Sequence, residues 1–261
     1  MEIKSHTFDS MKLQGSQPNT VNIAAILPGE IESVQTELIA MRGVVCFAED
    51  ARPDVYDVLL TIQGQGRLDF ADRKFSLEEQ SIVRVPHAIS YQIACGQGQD
   101  LYLLRIRKIL NANDQQVIRE NSREHAEPYV KRFSECPAYT ESIKSAKTVS
   151  RMLLPERKVP RFCMGNVRTE GPDKVDSHEH AMLEQLFLGL PGCRCTCKAD
   201  GQTAMLVENM LLHIPLGSTH SVSVDTGDVL YYVWLDFFLT AAGEKYMDEQ
   251  HTMLDEHNDK T

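Results

Sequence analysis

Residues 177–184 read Ser-His-Glu-His-Ala-Met-Leu-Glu, and residues 215–220 read Pro-Leu-Gly-Ser-Thr-His. An extended strand places residues two apart on one face, so His178 and His180 point the same way. Glu184 follows four residues after His180 and is expected to join them from the next strand. Pro215 and Gly217 make a tight turn, and His220 starts the strand after it. Three imidazoles and one carboxylate suit one divalent transition metal, Mn, Fe, Co, Ni or Zn. Binding needs neutral imidazoles, so affinity is expected to fall below about pH 6.5, the ordinary histidine pKa.

Short apolar runs with period two surround these motifs. Arg161 to Arg168, Leu183 to Leu188, Arg194 to Lys198, Met210 to Ile214 and Val229 to Phe238 read as strands. The first half has the same texture, in Val55 to Ile62, Arg67 to Phe70, Ser81 to Val85, Tyr91 to Ala94 and Leu101 to Ile106. Closely spaced strands with turn residues between them predict an all-β fold. The halves also repeat. Asp57 stands 127 residues before Glu184, and Pro86 stands 129 before Pro215. Two similar β-barrels in tandem are the expected architecture, over residues 1–110 and 156–261. The polar stretch 111–155 reads as a linker with a short helix or two. From Leu239 the pattern turns helical, with Tyr246, Gln250, Met253 and His257 on one face, and predicts a C-terminal surface helix packed on the second barrel.

Composition excludes several classes. The 261 residues carry 27 Lys and Arg against 37 Asp and Glu, a net charge of −10. That balance opposes nucleic acid and anionic membranes as partners. No run of about 20 apolar residues exists, and Met-Glu-Ile-Lys-Ser-His at the start has no apolar signal core, so a cytoplasmic protein is expected. Seven cysteines then read as reduced thiols. Cys193, Cys195 and Cys197 share one strand face, with neighbouring sulfurs expected about 6.5–7 Å apart, and read as core filling.

At the two histidine motifs the sequence resembles the cupin superfamily. The first cupin motif is a glycine, five residues, His-x-His, three or four residues, Glu, six residues and Gly. The second centres on Pro-x-Gly-x-x-His. His178, His180 and Glu184 fit the first, and Pro215, Gly217 and His220 fit the second. The spacing departs at Gly171, one residue too far from His178, and at Gly192, one residue late. Asn209 replaces the leading glycine of the second motif. The resemblance implies two jelly-roll (double-stranded β-helix) barrels and a metal held by His178, His180, Glu184 and His220. It also implies pairing into a homodimer. Moving back by the repeat offset puts Ala51, Pro53, Asp57 and Tyr91 at the ligand positions of the first barrel, so that barrel is expected to hold no metal.

Three residues are candidates for binding a small-molecule ligand. Asn166 and Arg168 share a face of one strand, where a guanidinium pairs well with a planar anion. Trp234 is a candidate pocket wall. His213 reads as a neighbour of the site rather than a ligand. The resemblance spans sugar isomerases, dioxygenases, decarboxylases, lyases, sensors and storage proteins. The expected function is a metal-dependent enzyme acting on a small oxygen-rich metabolite, a sugar derivative or keto acid, by isomerase, lyase or dioxygenase chemistry. The alternative is a non-catalytic metabolite sensor, or a scaffold with a structural metal. No general base stands out.

Overall fold

The structure is a computed structural model that describes residues 2–8, 19–248 and 251–254. The chain divides into an N-terminal unit, Phe8–Phe133, and a C-terminal unit, Ser134–Thr261 together with Met1–Thr7. Among the described residues the strands form four sheets, and every pairing within them is antiparallel.

In the N-terminal unit the larger sheet runs Tyr129–Arg132, Ser81–Arg84, Val55–Gly64, Asp100–Ile109, Val34–Arg42 and Thr20–Ile26. The smaller runs Val45–Glu49, Tyr91–Cys95, Gly66–Phe70 and Arg73–Leu77. Ile39, Leu59 and Leu103 of the larger sheet pack with Leu68, Phe70 and Ile93 of the smaller. The core therefore lies between two sheets, each turning one apolar face inward.

The C-terminal unit repeats this plan. Its larger sheet runs Lys4–Thr7, Met210–Ile214, Leu183–Gly189, Val229–Phe238, Phe162–Glu170, Val149–Val159, Ala138–Thr140 and Thr252–Met253. Its smaller sheet runs Asp173–Glu179, Thr219–Val224, Arg194–Ala199 and Gln202–Val207. Register repeats as well as order. His178 pairs with His220 as Glu49 pairs with Tyr91, and Gln185 pairs with Asp236 as Asp57 pairs with Arg107.

Both units are jelly-roll sandwiches, and the expected barrels do not close. Two sheets bury their apolar faces against each other without one continuous hydrogen-bonded ring, which is the jelly-roll solution to burying a sheet. Residues 111–155 divide between the units. Helix Ala112–Glu120 is closed by a capping box between Asn111 and Asp114, and Tyr129–Arg132 then extends the N-terminal unit's larger sheet. Ala138–Thr140 and Val149–Val159 belong to the C-terminal unit.

The C-terminal helix is shorter than expected, Ala241–Asp248. Met253 is not on it. Thr252–Met253 instead pairs with Tyr139 and Thr140, because that edge offers main-chain partners that a helix would leave unused. Gln250 and His257 lie outside the described residues. No helix among the described residues is long and apolar enough to cross a membrane.

Candidate metal centre

The site is built where the end of Asp173–Glu179 meets the start of Thr219–Val224. The ladder slips between Val175 and His178, and such a bulge re-aims side chains. His220 is delivered by the turn before it. Ser218 N–H donates to Pro215 O at 3.1 Å, and Gly217 takes φ +68°, the left-handed position that a turn of this type requires. The candidate ligand atoms of His178, His180 and His220 lie within 4.8 Å of one another. Ring centroids are 4.2 Å apart for His178 and His220, and 4.9 Å for His178 and His180.

Backbone carbonyls orient two of these rings. His178 Nδ1 sits 2.7 Å from Asp176 O, and His220 Nδ1 sits 3.2 Å from Ser218 O. A carbonyl at Nδ1 places the proton there and leaves Nε2 with a lone pair for a metal. His220 Nε2 is buried with no hydrogen-bond partner, an orphan that a metal would satisfy. Burial lowers the pKa of all three rings, to about 4 for His180 and about 3 for His220, where neighbouring histidines add to it. His180 and His220 are thus neutral, as ligation needs, well below pH 6.5.

Glu184 does not join them. It lies on the other face of its strand and accepts a hydrogen bond from His213 at 3.1 Å between Nε2 and Oε2. Gln185, the next residue, turns to the cavity instead. It lines the same cavity as His178 and His180, and its Oε1 is buried without a partner. Its side chain hydrogen-bonds Asp236 on the neighbouring strand, so the amide is held with its oxygen spare. Measured from Gln185 rather than Glu184, the later glycine of the first motif, Gly192, is in step. The donors present fit a divalent transition ion: three imidazole nitrogens and one amide oxygen, two of these atoms orphaned.

The cavity beside the histidines has about 390 Å³ of empty space, part of it open to solvent. Trp234 and Phe187 supply apolar wall, and Glu141, Lys144, Asp236 and His251 supply polar groups. Trp234 is one of the residues lining the cavity. Its ring lies over Gly165, where an added Cβ would stand 2.4 Å from the indole, and its Nε1 donates to Tyr139 Oη at 2.8 Å. Lys144 donates to the same hydroxyl at 2.9 Å and pairs with Glu141. Burial lowers the Lys144 amine and raises the Asp236 carboxyl to about 7. Asp236 Oδ1 has no hydrogen-bond partner.

The other two candidates stand elsewhere. Arg168 is exposed, with its guanidinium 5.4 Å from the Tyr231 ring, and Asn166 is buried in the sheet outside the cavity lining. Alternation along Phe162–Glu170 put both on one face, and that face is not the one that meets the cavity. Cys193, Cys195 and Cys197 are buried. The sulfurs of Cys193 and Cys195 are 3.8 Å apart, closer than a flat strand gives, because Cys193 precedes the strand proper. Its hydrogen bond to Cys195, and burial, raise the Cys193 thiol, so it is no ready thiolate.

In the N-terminal unit the corresponding positions carry an ion-paired cluster. The register puts Glu49, Asp57 and Tyr91 at the positions of His178, Gln185 and His220. Arg107, at the position of Asp236, donates to Asp57 at 2.8 and 2.9 Å and reaches Glu49 at 2.8 Å. Tyr91 Oη donates to Asp57 at 2.9 Å. A guanidinium here meets the carboxylates that an ion would otherwise neutralise.

No protein-family model matches the sequence, and no curated protein matches it. Solved structures do match. A cupin 2 conserved barrel domain protein from Leptotrichia buccalis superposes with a TM-score of 0.63 at 14% identity, over 91% of this chain and 98% of that one. A Pseudomonas aeruginosa protein described as glyoxylate-induced gives 0.73 at 12% identity, over 92% of each chain. A variant of B. subtilis oxalate decarboxylase gives 0.61 at 10% identity, over 90% of this chain and 79% of that one. The fold is the cupin fold, present twice.

Proposed function

We propose that the C-terminal unit holds one divalent transition metal, Mn, Fe, Ni, Co or Zn, and that the protein is an enzyme acting on a small oxygen-rich molecule in the adjoining cavity. His178, His180 and His220 would hold the ion, with Gln185 Oε1 as the fourth donor. The observation that carries the reading is the pair of orphaned buried atoms, His220 Nε2 and Gln185 Oε1, beside two further imidazoles. A bound ion supplies Lewis acidity towards ligand oxygens.

The chain's own groups do the remaining work. Trp234 and Phe187 exclude water from one side. Lys144 balances negative charge on the ligand, and Asp236 offers its spare oxygen to a ligand donor. Buried groups of this kind act strongly because little water screens them.

The test is elemental analysis of tag-free protein, wild type beside His220→Ala. About one equivalent of metal, lost in the variant, supports the site. No metal in wild type, and none taken up on titration, removes it. Turnover of sugar acids and keto acids by the loaded protein then separates an enzyme from a sensor, which returns its ligand unchanged.

A further inference from the structure

One histidine of the cavity wall lies far from both motifs. His251 precedes the short strand Thr252–Met253, and its side chain is 4% exposed while Met253 and Leu254 beside it are 46% and 50% exposed. The segment thus buries one imidazole and leaves its neighbours in solvent. The ring is stacked on Trp234, with centroids 5.6 Å apart and planes 19° apart, and meets Tyr139 edge-on at 4.9 Å. Nδ1 lies 3.2 Å from Glu156 Oε1. Nε2 lies 3.6 Å from Glu141, too long for a hydrogen bond.

Glu156 is a carboxylate at neutral pH. Burial acts to raise it, but hydrogen bonds from His251 and its own backbone outweigh that and lower its pKa. A carboxylate at Nδ1 fixes the proton there and frees the lone pair of Nε2. An imidazole held in one tautomer and orientation by a carboxylate is the usual arrangement for moving a proton.

We propose that His251 is the proton-transferring residue of the cavity, with Nδ1–H donated to Glu156 and Nε2 turned to the ligand. The inference rests on the metal reading, under which His178, His180 and His220 are committed to the ion. In the transfer, Nε2 forms an N–H bond with a proton from a ligand C–H or O–H, and that bond's electron pair stays on the ligand. The resulting imidazolium is balanced by Glu156, and the proton returns to the ligand at a second atom or to water. No oxidant or reductant takes part.

The experiment uses zinc-loaded full-length protein. Nitrogen-15 NMR of labelled histidine reads the His251 tautomer in the wild type, where unprotonated Nε2 is expected. Diethylpyrocarbonate, which acylates neutral imidazole, is then applied and the adducts are mapped by mass spectrometry. His251 is expected to react while zinc shields the other three. Glu156→Gln is expected to slow its reaction by about tenfold or more, as loss of an orienting carboxylate commonly does. A protonated Nε2 in the wild type, no adduct at His251, or an unchanged rate in Glu156→Gln overturns the proposal. If zinc fails to shield His178, His180 and His220, the metal reading fails instead, and the tautomer still decides on His251.

Discussion

Replacing Arg107 with alanine tests whether a side-chain cation does in the N-terminal unit what an ion is proposed to do in its twin. Arg107 and Asp57 are each 7% exposed, and Glu49 is 18% exposed, so water screens their charges little. Arg107 makes two bonds to Asp57 and one to Glu49. Removing it leaves Asp57 buried without a cation, while Glu49 keeps the Arg105 guanidinium at 2.6 Å. Breaking a buried pair from one side costs about 3–5 kcal/mol. For a unit of this size each kcal/mol moves the melting temperature by roughly 3–5 °C, so the expected fall is about 10–25 °C. Calorimetry reads it as a shift of the N-terminal unit's transition, with metal content unchanged. The combination Glu49→Gln, Asp57→Asn and Arg107→Met should recover most of the loss, because no charge is then left uncompensated. A fall below about 3 °C for Arg107→Ala, or a triple variant worse than the single one, would refute the reasoning.

Four further outcomes are expected. Metal affinity should begin to fall at a lower pH than free imidazoles would give, with the protonation of His180 and His220 costing affinity only nearer pH 4, because burial lowers all three rings and holds these two at about 4 and 3; equilibrium dialysis across pH checks it. In metal-free protein the unfolded chain takes protons near pH 6.5 and the folded site does not, so unfolding free energy should fall as pH drops from about 6.5 towards 4, as read by urea titration. Gln185→Ala should weaken metal binding by about tenfold or more while Glu184→Ala leaves it unchanged, which a competing chelator measures. Gly165→Ala should cost about 1–3 kcal/mol and shift the emission of Trp234, since the new methyl would stand 2.4 Å from the indole and 2.7 Å from Arg151 O.

The duplicated cupin architecture and the three histidines were legible because alternation, turn residues and ligand spacing are local signals. Glu184 stands apart from the three histidines for a local reason too. The residues after His180 form a turn whose length the spacing does not fix, and a one-residue slip moves a side chain to the other face of a strand. A constant repeat offset likewise pointed to Ala51, whereas strand register aligns Glu49 with His178. His251 carried no signal at all. Its place depends on Thr252 pairing with Thr140, a contact between residues far apart in sequence, and the surrounding pattern suggested a helix. Its nearest sequence signal is a histidine in an acidic tail, which is ordinary on a surface.

Strand Lys4–Thr7 pairs with Met210–Ile214 of the C-terminal unit. It is therefore synthesised about 200 residues before its partner exists. At roughly 5–20 residues per second the ribosome imposes a wait of some 10–40 s. Throughout that interval Lys4, Ser5, His6 and Thr7 lack the strand they pair with in the fold, while strands made later find their own partners. The earliest strand of the chain thus docks among the last, and a C-terminal unit produced from residue 134 onward would expose the edge of Met210–Ile214 that this strand covers.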